Sequence, residues 1–310
     1  MKTICVILSF FLFANSLAAQ PLKTHNASLY FISDTQDPLL IEKIIHKPYQ
    51  NQRARNSIFS ALLQQSPAHV YILGDVVALG YANRRWKAMD SFLDSCRAYH
   101  IPVEAILGNH ELMIRKRKGI RHFQQRFPAN VPTGYVSVQD SIAVVLLNSN
   151  FKKLSAADRQ KQSEWYATAM AGLDKADSIK AIIVCCHHAP YTNSRVVKGS
   201  TAVQQYFVPA YIASSKARLF ITGHSHNFEH FRVKGKDFLV IGGGGGIQQG
   251  LRTDNQYLEI DNAYTPRYHY LSVNRSSNQL LVSSHYLRND FSGFEDGLAF
   301  TIELPVVPLQ

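Results

Sequence analysis

Five times along this chain a short apolar run ends in a small cluster of Asp, Asn, His and Gly. The run Ser28 to Ser33 is followed by Asp34-Thr35-Gln36, and His69 to Leu73 by Gly74-Asp75. Val103 to Leu107 leads into Gly108-Asn109-His110-Glu111, and Lys180 to Cys186 into His187-His188-Ala189-Pro190-Tyr191. Arg218 to Thr222 leads into Gly223-His224-Ser225-His226. Apolar runs of this length read as buried strands, and in an open α/β sheet the carboxyl ends of the strands face one crevice. A single Asp at a strand end is more often a helix cap, and a single His an ordinary core or surface residue. Five such clusters in order are not chance, and they would converge on one point.

Between the runs lie helical patterns. About Arg53 to Gln65 carries Ile58, Leu62 and Leu63, and about Arg84 to Tyr99 sets Trp86, Met89, Phe92 and Leu93 on one face. Further helices are expected from about Ala156 to Leu173 and near Ala202 to Ser214, and a further strand from Ile142 to Asn148. This alternation argues an α/β fold with helices layered on both faces. The tail differs. Tyr268 to Val273, Gln279 to Ser284 and Leu298 to Leu304 alternate like antiparallel strands, with a turn at Asn274 to Asn278. We read one domain over 20–310, with a core at about 27–247 and a C-terminal β extension at about 248–310. No repeat and no Pro-, Gly- or Ser-rich linker divides it.

The donor set has its own chemistry. Asp, Asn and His offer hard oxygens and imidazole nitrogens without sulfur, which suits Mn, Fe, Zn or Ni. Asp75 could bridge two ions, and His224 and His226 could reach separate ions from one turn. Glycines at 74, 108 and 223 permit close backbone approach.

The ordered set Asp34-Thr-Gln36, Gly74-Asp75, Gly108-Asn-His-Glu111, His188 and Gly223-His-Ser-His226 resembles the calcineurin-like metallophosphoesterase superfamily, which includes purple acid phosphatases and many phosphodiesterases. The match spans residues 34 to 226. The resemblance implies a four-layer α/β/β/α sandwich with mixed sheets. It also implies two metal ions, of Mn, Fe or Zn type. Asp34, Asp75 and His226 would hold the first, with Gln36 beside it, and Asp75, Asn109, His188 and His224 the second. His188 is preferred to His187 because His188-Ala189-Pro190 fits the family's His-x-Pro spacing. His110 would contact the phosphoryl or leaving oxygen, and Glu111 would orient it. The implied reaction is hydrolysis of phosphate mono- or diesters by a metal-bridging hydroxide. Some relatives with Gln at the position of Gln36 are nucleotide diphosphate hydrolases, which is the alternative activity. Gln replaces the commoner His there and is a weaker ligand. Ala78 stands where the purple enzymes carry a Tyr, so no tyrosine–iron colour is expected.

Composition sets the outer limits. The chain has 310 residues, 46% hydrophobic and 18% charged, which excludes disordered and collagen-like classes. Met1-Lys2, the apolar run Ile4 to Ala14 and small residues up to Ala19 read as a signal peptide over 1–19, so export to a periplasm or the exterior is expected. No run is long enough to span a bilayer. Removal of the leader would leave Cys96, Cys185 and Cys186, an odd number. The adjacent pair would point to opposite strand faces, so all three read as buried small hydrophobes. The net charge of +11 favours anionic ligands. Arg115 to Lys118, with Arg121, reads as a solvated charge run whose alternative role is substrate recognition. The Gly242 to Gly246 run lacks the Lys-Ser/Thr ending of a phosphate loop and reads as a structural turn. A small phosphorylated substrate is the expected partner. A non-catalytic phosphate or nucleic-acid binder is the remaining class, but no nucleic-acid motif supports it. Oligomeric state is not legible.

Overall fold

The computed structural model describes residues 28–39, 50–252 and 266–304, together with Glu42, Ile44, Asp254 and Tyr257. The expected signal peptide, residues 1–19, lies outside the described residues.

Strand β1 (Ser28–Ile32) pairs in parallel with β2 (His69–Ile72), and β2 with β3 (Val103–Ala105). Helices α1 (Asn51–Gln65) and α2 (Lys87–Ala98) make the crossovers. The chain then adds α3 (Lys116–Arg126) and enters a second sheet through β4 (Tyr135–Gln139) and β5 (Ile142–Leu146). Helix α4 (Ala156–Lys175) leads to β6 (Ala181–His188). The short helices α5 (Thr201–Tyr206) and α6 (Val208–Ala213) then lead to β7 (Ala217–Gly223). The hairpin β8 (Phe228–Val233) and β9 (Lys236–Ile241) completes this sheet, in the order β4-β5-β6-β7-β9-β8. The tail strands β10 (His269–Ser276), β11 (Gln279–Leu287) and β12 (Phe294–Glu303) return to the first sheet. Its order is β12-β11-β10-β1-β2-β3.

Both sheets are mixed, and strand alternation decides what they bury. Leu29, Phe31, Tyr71, Val144, Ile183, Cys185, Ile221, Leu271 and Val282 form one core between the sheets. The outward residues of β1 and β2, such as Ile32 and Ile72, pack under α1 and α2 against Ile58, Trp86 and Phe92. The outward residues of β5 and β6, such as Val145, Val184 and Cys186, pack under α4 to α6 against Tyr166 and Tyr211. The architecture is therefore the expected four-layer α/β/β/α sandwich. The C-terminal strands form half of the first sheet, because β10 pairs antiparallel with β1 from Ser28↔Asn274 to Phe31↔Leu271.

The structure adds elements that periodicity hides. The basic run opens α3, whose other face buries His122 and Phe123. The region read as one helix near 202–214 is two, divided at Phe207, because Pro209 in the first turn of α6 has no N–H to continue the ladder. Cys96, Cys185 and Cys186 are buried free thiols, in line with the apolar reading. No helix among the described residues is long and apolar enough to cross a membrane.

Candidate metal centre

Because both sheets end at the same edge, the polar clusters meet across the gap between them and not along a single sheet. Backbone hydrogen bonds fix the approach: Asp34 N–H donates to the Gly74 carbonyl at 3.1 Å and Gln36 N–H to that of Asp75 at 3.1 Å. His224 N–H donates to Asp34 Oδ2 at 2.9 Å, and His110 N–H to Asp75 Oδ1 at 2.8 Å. Two glycines permit this closeness. A Cβ on Gly108 would stand 2.1 Å from Asp75 Oδ1, and one on Gly223 would stand 2.4 Å from Asp34 Oδ2. Asp34, Asp75 and His224 all hold positive φ, at 60°, 47° and 67°. Such left-handed backbone at non-glycine residues is strained and gathers at functional sites.

The imidazoles are aimed from behind. His187 Nδ1–H donates to the Leu73 carbonyl at 2.9 Å, His226 Nδ1–H to that of Ile247 at 2.7 Å, and His110 Nδ1–H to that of Ala78 at 3.0 Å. Each bond leaves Nε2 with its lone pair pointing inward. His187 Nε2 then lies 3.2 Å from Asp75 Oδ2 and 3.2 Å from Asn109 Oδ1. His226 Nε2 lies 3.3 Å from Asp34 Oδ1, a buried oxygen that accepts no hydrogen bond. Lone pairs that face one another at these distances need a proton or a cation between them. Protons take that role when no ion is bound. Burial opposes a charge on His187, but the Asp75 carboxylate outweighs it and lifts the imidazole to about 9. Burial likewise opposes charge on His226, and Asp34 raises it. Asp75, despite burial, is held well below the carboxylate range by His187 and His110. The donor set therefore fits metal ions. Asp34, Asp75 and His187 offer ligand atoms within 4.8 Å of one another, and so do His187, His188 and His224.

Gln36 also faces the centre. With its amide nitrogen donating to the carbonyls of Asp75 (2.8 Å) and Asp34 (3.1 Å), its oxygen stands 3.3 Å from His226 Nε2. The residues expected for the first ion, Asp34, Gln36, Asp75 and His226, are thus adjacent. Of those expected for the second, Asn109 meets Asp75 through His187. His188 and His224 lie side by side next to His187, their rings tilted by 49° with centroids 4.4 Å apart. Burial and then the charge of His187 push His224 down to about 4, and His188 is also pushed well below its usual range.

His187 is the residue that spacing passed over. Along β6, Ile183 and Cys185 face the other sheet while Val184 and Cys186 face the helices. Parity therefore turns His187 toward Asp75. His188 follows a register shift at the end of β6: its Nδ1 lies 2.8 Å from Ser149 Oγ, and it still offers a ligand atom within 4.8 Å of those of His187 and His224. Ser149 belongs to Asn148-Ser149-Asn150, a sixth polar cluster directly after an apolar strand. Glu111 makes no hydrogen bond to the His110 ring, although its charge adds to those that raise that imidazole. Its carboxylate accepts from the backbone N–H groups of Asp75 (3.1 Å), Val77 (3.1 Å) and Gly108 (2.8 Å), and so binds two of the loops together. Burial and then the Asp75 charge push it up to about 7. His110 Nε2 stands 3.8 Å from Asp75 Oδ2, at the rim of the centre. The Gly-rich run is structural: Gly244 N–H donates to the Ser33 carbonyl at 2.9 Å and Gly246 N–H to that of Asp34 at 2.7 Å.

A family model of calcineurin-like phosphoesterases matches residues 27–228. Among solved structures, a purple acid phosphatase from yellow lupin (Lupinus luteus) seeds superposes with a TM-score of 0.67 at 15% identity. The alignment covers 89% of this chain and 53% of the lupin chain, so this chain spans about half of that protein's length. The protein described as GAP50, the anchor in the inner membrane complex of Plasmodium, superposes with a TM-score of 0.68 at 12% identity, covering 91% and 90%. A dimetal phosphatase from Danio rerio gives 0.55 at 13% identity, covering 90% and 99%. At these identities the likeness is one of fold. A search of curated proteins finds no significant match.

Proposed function

The chain belongs to the calcineurin-like phosphoesterases, and from that premise we propose that it hydrolyses phosphate mono- or diesters at a centre of two metal ions. One observation carries the reading: the inward-facing lone pairs of Asp34, Asp75, Asn109, His187 and His226, which only cations or protons reconcile. Shared fold would not suffice, since one structural relative is described as an anchor.

Asp34, Gln36, Asp75 and His226 would hold one ion, and Asp75, Asn109, His187 and His224 the other, with His188 at its flank. When bound, such a pair lowers the pKa of a water and neutralises charge on the phosphoryl oxygens. The chain's own residues do the rest. The Leu73, Ile247 and Ala78 carbonyls hold three imidazoles in one tautomer each. Glu111 keeps the Asp75 and Asn109 loops in register. His110, at the rim with Nε2 3.8 Å from Asp75 Oδ2, would contact the phosphoryl or leaving oxygen. Burial opposes its charge, but the Asp75 charge outweighs burial, raises its pKa and favours the protonated imidazolium that could donate to that oxygen.

The leader-like residues 1–19 support export as the setting. A panel of phosphomonoesters, phosphodiesters and nucleoside diphosphates, assayed with Mn, Zn and Fe and paired with elemental analysis, tests the proposal. We expect about two equivalents of metal per chain and turnover of at least one class. Protein that binds no metal under saturating supply would overturn it.

A further inference from the structure

The centre opens into a cleft of about 420 Å³ that runs from Asn109, His188 and His224 to Lys152, Lys153 and Lys198. That space suits an organic ligand rather than a lone phosphate ion. Its lining includes three lysines and neither Asp nor Glu. Lys116, from the basic first turn of α3, donates to the Lys153 carbonyl and brings a fourth positive charge to the rim.

The lysines stand on fixed supports. Lys152 and Lys153 lie in the turn Phe151–Lys153, and Phe151 is buried with its ring 5.2 Å from that of Tyr206 and 5.0 Å from that of Phe207. Arg159 Nη1 donates to the Phe151 carbonyl at 3.2 Å. On the opposite wall, Ser200 N–H donates to the Ala189 carbonyl at 2.8 Å, which ties the Lys198 loop to the end of β6. Like charges gathered without a carboxylate repel one another until an anion enters between them. Lysine, a compact charge on a flexible stem, binds phosphate without demanding a fixed orientation.

We propose that this cleft receives a second phosphoryl group of the substrate, so that the preferred substrates are organic phosphates carrying two. This rests on the phosphoesterase reading above. In hydrolysis of such a substrate, the water oxygen bonds to the phosphorus at the metal end as the bridging P–O bond breaks. The leaving oxygen keeps that electron pair and takes a proton. The lysines hold the other phosphoryl group and change no bond.

The test compares the wild type with a triple variant, Lys152→Ala, Lys153→Ala and Lys198→Ala. The substrates are ADP, fructose 1,6-bisphosphate and p-nitrophenyl phosphate, and binding of α,β-methylene-ADP to the metal-loaded protein is followed by calorimetry. We expect KM for ADP, for the bisphosphate or for both to rise about tenfold or more. The Kd of the analogue should rise by a similar factor, and KM for p-nitrophenyl phosphate should change less than about twofold. The substrate that responds identifies the source of the second phosphoryl group. The triple Lys→Arg variant, which keeps the charge, should bind as the wild type does. Equal changes for all three substrates, or none, would overturn the cleft's role and leave the phosphoesterase reading intact. A wild type that turns over none of them with any metal would count against that reading instead, and analogue binding would still decide the lysines' part.

Discussion

His187 Nε2 stands 3.2 Å from Asp75 Oδ2 and 3.2 Å from Asn109 Oδ1, with its Nδ1–H spent on the Leu73 carbonyl. Its neighbour His188 turns Nδ1 toward Ser149 Oγ at 2.8 Å. The two imidazoles should therefore separate in a simple experiment. His187→Ala should lower bound metal from about two equivalents toward one and cut turnover at least about a hundredfold. His188→Ala should keep more metal and more activity than His187→Ala. Elemental analysis alongside steady-state kinetics checks this, and the reverse order would return the ligand role to His188.

Much of this site is legible in the sequence because strand ends are legible. Asp34, Asp75, Asn109, His224 and His226 each follow an apolar run, and the fold only has to bring those ends to one edge. The choice between His187 and His188 rests on strand parity, since Ile183 and Cys185 face the neighbouring sheet. Spacing to Pro190 does not report that parity. Asn148-Ser149-Asn150 carried the same signature after β5 and could have been read. Strands β8 and β9 are harder. Glu229, His230, Arg232 and Asp237 interrupt their apolar pattern; His230 and Arg232 both meet Asp237 only once the hairpin has formed, each at 2.9 Å, and Glu229 accepts from Thr192 Oγ1 and Asn193 N–H outside it. The lysine-lined cleft joins segments near 110, 150 and 200, and a distance of that kind is not written in any local pattern.

Asp75 lies between both halves of the centre, so its charge is the hardest to replace. Asp75→Asn should abolish phosphoester hydrolysis while far-UV circular dichroism and a cooperative melt remain. His110→Ala should do the same with metal content preserved, because His110 meets the centre only at 3.8 Å. Near-normal turnover in Asp75→Asn would refute the assignment.

Glu111 offers two carboxylate oxygens to three backbone N–H groups, those of Asp75, Val77 and Gly108. Glu111→Gln keeps the shape but replaces one acceptor oxygen with an NH₂ that faces N–H donors. An unsatisfied buried donor costs about 1–3 kcal/mol. We expect a loss of stability in that range and a fall of about 10- to 100-fold in metal affinity or turnover. Denaturant melts and metal titrations measure the two effects. If Glu111→Gln loses stability while metal affinity and turnover stay at wild-type values, the glutamate supports the fold without positioning the ligands.

His69 yields a pH prediction away from the metal centre. Its ring is 2% exposed, stacks on Tyr71 at 4.3 Å, and neither of its nitrogens has a hydrogen-bond partner. Burial lowers its pKa to about 4, whereas an unfolded chain would bind a proton at about 6.5. Between these values the unfolded state holds more protons, so stability rises with pH across that window. The contribution is complete above about 6.5 and is lost as pH falls toward about 4, with an upper bound on the order of 3 kcal/mol. His69→Phe keeps the stacking and removes the titration. Its Tm should therefore fall less than that of the wild type between pH 7 and pH 4.5, measured in metal-free buffer. Parallel Tm profiles for the two proteins would show that His69 contributes nothing to acid lability.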